Sequence, residues 1–403
     1  MQWFLSESTW QERPIQERRL RVLLEEPSTA PNGQGVLVID EHGDRKRGHQ
    51  MAHIGKPYLA NLGKLETGVV SVTSLWADEG GYYPVDFEPY TPAEYVEQGK
   101  QDLLFRTKLT IGVELVSRAV QVPLPFRAVV ADSFYGEDRG FRRGLRELHV
   151  GDVLALKPSH EWYHPEAEIG SFQEAAQEAG WEGAERPGRW IKVTRTFRDG
   201  SSQDWWALDH DIRPFGPDKP ERVVVATTDP VTLPDLSTFS LLTNLPAPGS
   251  QRAQGSAFAV ACVEEVVRLY GLRMWVEESD KQVKHALGWS EYQVRSDQAM
   301  RRHWQLVCCA FSFCWYHQTH TPVAEALASP VQSPTLAKPE LEEAPGEQRA
   351  EEKQGGRSVR ATTRVMAQSS PFGQSVARAL GLVPAILAGV VVTAPTSPTP
   401  ATP

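Results

Sequence analysis

The sequence predicts an α/β protein, a mixed sheet flanked by helices, with a β-rich block before its last helices. Three observations carry that expectation. Short β-branched runs bounded by turn residues, such as Val36–Ile39 and Ala128–Ala131, read as buried strands. Strand-like and helical stretches alternate as far as Lys157. A Trp-rich block of short strands then separates this region from a polar helix around Tyr270.

In chain order, a short helical piece around Ile15–Glu25 precedes the run Val36–Ile39, which leads into Asp40. Gly68–Trp76 and Tyr82–Pro89 are two more strands, parted by the turn-prone Asp78-Glu79-Gly80-Gly81. A long helix is expected over Ala93–Val120, and Val122-Pro123-Leu124-Pro125 then breaks the chain. Ala128–Ala131 runs into Asp132, followed by a helix over Glu137–His149 and a strand over Val153–Lys157. Beyond Pro158, Trp190–Phe197 and Asp204–Ile212 form a hairpin around Arg198-Asp199-Gly200-Ser201, and Arg222–Thr227 and Thr238–Leu242 add strands. An apolar helix covers His303–His317. Val323–Pro403 holds ten of the 30 prolines and reads as a disordered tail. The expected divisions are 1–35, 36–158, 159–252, 253–320 and 321–403.

Composition excludes some classes. Four cysteines without a CxxC pair suit reduced, packed thiols, and eleven histidines without HExxH or HxH spacing disfavour zinc. Met1–Trp10 lacks the basic and apolar regions of a signal peptide. Ala377–Val392 is shorter than a bilayer span and interrupted by Pro384, so no membrane association is expected and the cytoplasm is the expected location. The net charge of −9 does not announce a nucleic-acid binder. Local basic groups, Arg45-Lys46-Arg47, Arg142-Arg143 with Arg146, and Arg301-Arg302-His303, are either binding patches or solvated faces.

The most informative array is Tyr270, Arg273, Glu277 and Lys284. At about 100° per helical residue they form a stripe roughly 60° wide. A core-facing stripe would be aliphatic; this one suits a polyanion, a metal, or both, unless it is a solvated face with fortuitous spacing. Asp40 and Asp132 each end a strand-like run, where functional groups of α/β sheets collect and where caps and turn formers also occur. Three carboxylates meeting at one sheet edge would repel, and hard divalent ions such as Mg²⁺ or Mn²⁺ resolve that repulsion. Glu278 rivals Glu277 but lies about 100° off the stripe; Asp44 rivals Asp40 but sits in a turn-like stretch past Gly43.

These residues carry a resemblance. Val36–Gly43 with Lys46, Gly48, Gly55, Tyr58, Gly63 and Lys64 is similar to the first-aspartate block of DDE transposases of bacterial insertion sequences. Val130–Gly136 resembles the second block. Tyr270, Arg273, Glu277 and Lys284, with Gln293–Ser296 beyond, resemble the third in the branch marked by Tyr-x2-Arg-x3-Glu-x6-Lys. The resemblance spans roughly residues 1–318 and implies an RNase H-like fold. It further implies a catalytic and metal-binding triad of Asp40, Asp132 and Glu277 holding two Mg²⁺ ions, with Mn²⁺ able to substitute. Tyr270, Arg273 and Lys284 would hold DNA phosphate. The implied reaction is hydrolysis at transposon ends and 3′-OH strand transfer into target DNA, by a homodimer on double-stranded DNA associated with the bacterial nucleoid. Trp162, Trp181, Trp190, Trp205 and Trp206 of the insertion would then stack on bases or fill a small core. Family members carry a helical end-binding region before the first aspartate. Only 39 residues precede Asp40, so amino-terminal truncation is expected. An inactive DNA-binding remnant and an RNase H-like nuclease without strand transfer are the alternatives.

Overall fold

The computed structural model describes residues 2–59, 62–157, 161–163, 169–196, 202–212 and 221–320. The chain divides into two compact units, Met1–Ser312 and Phe313–Pro403, and of the second only 313–320 are described. The predicted tail Val323–Pro403, the stretch Ala377–Val392 and the hairpin turn Arg198–Ser201 lie outside the described residues.

Helices α1 (Gln2–Ser6) and α2 (Glu12–Glu25) precede strands β1 (Val36–Arg45), β2 (Tyr58–Leu59), β3 (Lys64–Leu65), β4 (Gly68–Ala77) and β5 (Tyr82–Tyr90). Then come α3 (Lys108–Gln121), β6 (Ala128–Ala131), α4 (Ser133–Gly136), α5 (Arg139–Glu147) and β7 (Asp152–Leu156). The insertion contributes β8 (Glu161–Tyr163), β9 (Ile169–Ser171), α6 (Phe172–Gln177), β10 (Ile191–Thr196), β11 (Ser202–Ile212), β12 (Glu221–Thr227) and β13 (Thr238–Thr243). Helices α7 (Val263–Gly271), α8 (Met274–His285) and α9 (Asp297–His320) complete the order.

The expected mixed α/β sheet is present, nine strands in the order β10-β11-β12-β13-β7-β6-β1-β4-β5. Its centre, β1-β6-β7, is parallel. These are the strands whose Val, Leu, Ile and Ala side chains are buried throughout, as strands covered on both faces must be. Helix α3 turns Ile111, Gly112, Leu115, Val116 and Ala119 inward at helical spacing. The insertion's strands extend this same sheet, because β13 pairs antiparallel with β7. Trp190 and Trp205 are buried, and Trp181 and Trp206 pack partly buried beside the Leu208, Val223 and Val225 core. Four of the five tryptophans therefore fill a core; the side chain of Trp162 lies outside the described residues.

Three local expectations are corrected. The predicted helix Ala93–Val120 exists only from Lys108. Thr107 caps it by accepting the Thr110 N–H, and the preceding stretch forms tight turns at Ala93–Tyr95 and Gly99–Gln101, with Gly99 at φ +59°. Strand β1 does not end at Asp40 but runs on to Arg45 in antiparallel register with β4, so Asp44 is a buried strand residue and not part of a turn. The stripe carrying Tyr270 and Glu277 is two helices with a joint between them.

Most of the basic groups are structural. Arg302 is buried and donates to the carbonyls of Trp10 and Leu5, and Arg142 donates to the Gly136 carbonyl. Arg301 is spent on Glu88 and Asp297. At the other end of the chain, β4 and β5 slip register near Leu75, and Arg19 of α2 satisfies the carbonyls of Pro84 and Val85 there. Of the cysteines, Cys308 and Cys314 are buried, as expected of packed thiols, whereas Cys262 is exposed.

Candidate active site

Strand register brings the two aspartates together. Ile39 of β1 lies opposite Ala131 of parallel β6. The next residue on each strand, Asp40 and Asp132, is therefore a neighbour across a gap of about 4.8 Å between strands. Asp132 caps α4, its Oδ1 accepting the Phe134 N–H at 3.0 Å. The turn behind it is pressed onto β7: a Cβ on Gly136 would meet the Ala155 carbonyl oxygen at 1.9 Å. Asp40 Oδ1 accepts the N–H of Glu41 at 2.8 Å. Each aspartate thus spends Oδ1 on nearby backbone and turns Oδ2 into the site.

Both Oδ2 atoms face Arg273. Its Nη2 donates to Asp40 at 2.9 Å and lies 3.9 Å from Asp132. Arg273 occupies the joint between α7 and α8, where i to i+3 bonds replace the α-helical pattern: Arg273 N to Tyr270 O at 3.0 Å and Val276 N to Arg273 O at 3.0 Å. Arg195 of β10 presses on this joint, its guanidinium 2.4 Å from where a Cβ on Gly271 would stand. Tyr270 packs against Phe239 of β13, which stacks on Trp205 of β11. The insertion therefore backs the tyrosine of the array.

Glu277, in the first turn of α8, is exposed and acts electrostatically on Arg273 and Tyr270. Glu278 turns aside toward Lys281. Lys284 lies farther along the site, where its charge acts on Asp44. The structure thus brings together Asp40, Asp132 and Arg273, with Tyr270 and Glu277 around them.

Two participants were missed. His42 is wholly buried, with Nδ1 at 2.7 Å from Asp280 of α8 and Nε2 at 3.4 Å from Asp44. Asp44 in turn accepts the Ser290 hydroxyl at 2.5 Å. The dyad His42–Asp280 ties the strand of Asp40 to the helix of Glu277. Period two from Asp40 and period three from Glu277 would have flagged both residues.

Burial pushes the Asp40 carboxyl up; Arg273 pulls it down, Asp132 and Asp280 push it further up, and the result is about 7. Negative charge is in surplus here. Among the described residues no three His, Cys, Asp or Glu side chains gather closely enough to hold a metal ion. The donor set nonetheless fits a hard divalent cation: two carboxylate oxygens converge on one point, and a cation, the Arg273 guanidinium, already stands there. Glu277 is the nearby carboxylate at the start of α8.

Known proteins resemble this chain in sequence. Residues 1–206 match the family model of the DDE superfamily endonucleases. A probable transposase for insertion sequence element IS701 from Microchaete diplosiphon is 31% identical over 294 residues, 72% of this chain and 67% of that protein. A mixed sheet whose central parallel strands set two aspartates side by side is the RNase H-like arrangement expected of such enzymes, and the chain belongs to the DDE endonuclease superfamily, among the transposases of insertion sequences.

Proposed function

We propose that this transposase hydrolyses a phosphodiester at a transposon end and joins the freed 3′-OH to target DNA, with Asp40, Asp132 and Glu277 as its catalytic carboxylates. The observation that carries this reading is the convergence of both aspartate Oδ2 atoms on a single cationic point. Asp40, Asp132 and Glu277 would hold the divalent ions, Mg²⁺ or in its place Mn²⁺. Bound there, two such ions supply a polarised water and a stabilised leaving oxygen. The protein's own groups position the substrate. Arg273 offers a planar fork to phosphate, Tyr270 a hydroxyl donor and Lys284 a point charge. None of them needs to read a base, since phosphate contacts orient without specifying sequence.

In the first step water oxygen bonds to phosphorus and the P–O3′ bond breaks, leaving a 3′-OH and a 5′-phosphate. In the second, the 3′ oxygen bonds to a target phosphorus as that phosphorus releases its own 3′ oxygen, which takes up the proton. Phosphodiester bonds are conserved in this exchange, so no outside energy source is needed. The substrate is double-stranded DNA, and pairing of two ends implies a homodimer working at the nucleoid.

The test is Mg²⁺- or Mn²⁺-dependent nicking of supercoiled plasmid, followed by joining of a precut DNA end. Nicking that disappears in Asp40→Ala, Asp132→Ala and Glu277→Ala is expected. Normal cutting by any one of them removes that residue from the triad, and nicking without joined product reduces the enzyme to a nuclease.

A further inference from the structure

We infer that Arg273 is a resident counter-ion for Asp40 and Asp132 that a divalent cation must displace and that DNA phosphate draws away, so that metal and DNA bind cooperatively. This inference rests on the reading of the two aspartates as metal ligands.

The oxygen inventory leads to it. Asp40 Oδ1 is committed to the Glu41 N–H and Asp132 Oδ1 to the Phe134 N–H. The oxygens that carry no backbone hydrogen bond, and so are the readiest to bridge a cation, are the two Oδ2 atoms, and both face Arg273 Nη2. A guanidinium does not lose its charge at any working pH, so two cations cannot share that point without repulsion. The arginine must leave when the ion arrives. It has somewhere to go. Its Nε is buried without a hydrogen-bond partner, so the fork holds an unused donor, and its backbone sits at a tight helix joint that a small torsional change can re-aim. A phosphodiester beside Tyr270 satisfies the fork bidentately and vacates the carboxylates. Without DNA the same guanidinium holds the two aspartates together, so an idle enzyme carries little metal in a cutting position.

The experiment titrates Mn²⁺ into the full chain, reading free Mn²⁺ by electron paramagnetic resonance, with and without a short mixed-sequence double-stranded oligonucleotide. For the wild type, DNA is expected to tighten Mn²⁺ binding on the order of tenfold, and Mn²⁺ to tighten DNA by the same factor, as reciprocity requires. Arg273→Gln is expected to bind Mn²⁺ about tenfold more tightly than wild type without DNA, and to lose the coupling. Arg273→Lys keeps the charge and stays near wild type in the DNA-free state. Equal wild-type affinity with and without DNA overturns the inference, even if the variants do not fold. So does an Arg273→Gln protein with unchanged or weaker DNA-free affinity. If Mn²⁺ binding survives Asp40→Asn combined with Asp132→Asn, the metal reading itself fails and takes this inference with it.

Discussion

Two carboxylate–arginine clusters sit on the same sheet and have opposite electrostatics. On β5, Glu88 is met by Arg106 at 2.7 Å, Arg118 at 2.9 Å and Arg301 at 2.6 Å. Burial pushes its carboxyl up, but Arg301 and the other guanidiniums outweigh burial and hold it at about 2. On β1, Asp40 has one guanidinium, a second aspartate beside it and Asp280 nearby, and stands at about 7. Glu88 is the more buried of the two, its side chain 6% exposed against 18% for Asp40, so burial does not account for the higher value at Asp40. The count of cations per carboxylate does. A carboxylate met directly by three guanidiniums, themselves shared with Asp86, Glu114 and Asp297, is finished and holds elements together. A cluster left short of positive charge suits a cation from outside, and that shortage supports the proposed reading of Asp40 and Asp132 as the functional site.

The largest expected effect removes the unfinished cluster's chemistry. Asp40→Asn should lower nicking on the order of a thousandfold, several kcal/mol of lost transition-state stabilisation. It should leave the melting temperature unchanged or higher, because neutralising a carboxyl that burial already disfavours relieves repulsion with Asp132. A fall of many degrees with nicking retained in the folded fraction would make Asp40 a structural residue and erase the contrast with Glu88.

Glu88→Ala should do the reverse. It removes the carboxylate that joins three guanidiniums, each of which keeps a second acidic partner in Glu114, Asp86 or Asp297, and about 3 kcal/mol of stability is expected to go with it. Nicking per folded molecule should persist. The acid limb of stability sharpens this further. The Glu88 pKa is depressed on folding, from 4.5 to about 2. Its contribution is therefore complete above about pH 4.5 and is lost as pH falls toward 2, about 3 kcal/mol in all. Chemical denaturation between pH 5 and 2.5 should show a steep loss in wild type and a flatter one in Glu88→Gln. Matching slopes would mean that Glu88 is not the group that titrates.

Much of this was legible in the sequence, and the limits have physical causes. Val36–Ile39 and Ala128–Ala131 announce buried strands because nothing but apolar side chains fits a strand covered on both faces. The aspartates after them then meet by register alone. The helix joint at Leu272 and Arg273 had a single local signal, Gly271 at the end of α7, which the good helix sequence Leu-Arg-Met-Trp after it masks. Nor did the −9 net charge reveal that Arg301 and Arg302 are internal ties, because partners for both come from segments hundreds of residues away. The extension of the sheet through β13 was hidden likewise, as β-pairing partners are not written locally.

His42 was overlooked for the opposite reason: a lone histidine in a strand carries no motif, and only its place two residues from Asp40 points to it. Its place between Asp280 and Asp44 makes it a positioning residue for the helix that carries Glu277. His42→Ala should lower the nicking rate about tenfold by misplacing Glu277 by a fraction of an ångström to an ångström, with little change in DNA affinity. His42→Asn, which keeps a donor near Asp280, should recover part of that rate. An unchanged rate in His42→Ala, with DNA affinity lost in its place, would sever the dyad from the carboxylates.

The smallest expected effect distinguishes neighbours on one helix. Glu278 stands next to Glu277, yet its carboxylate is 3.7 Å from Lys281 in an exposed pair one turn on. Such a pair contributes about 0.3–0.5 kcal/mol. Glu278→Gln should accordingly leave nicking within about twofold of wild type, since a change of that size in free energy is roughly a twofold change in rate. Glu277→Gln should lose nicking as Asp40→Asn does. If the two outcomes are exchanged, α8 presents its other face to the aspartates. The third carboxylate is then Glu278, and the shortage of positive charge at Asp40 is met from a different direction.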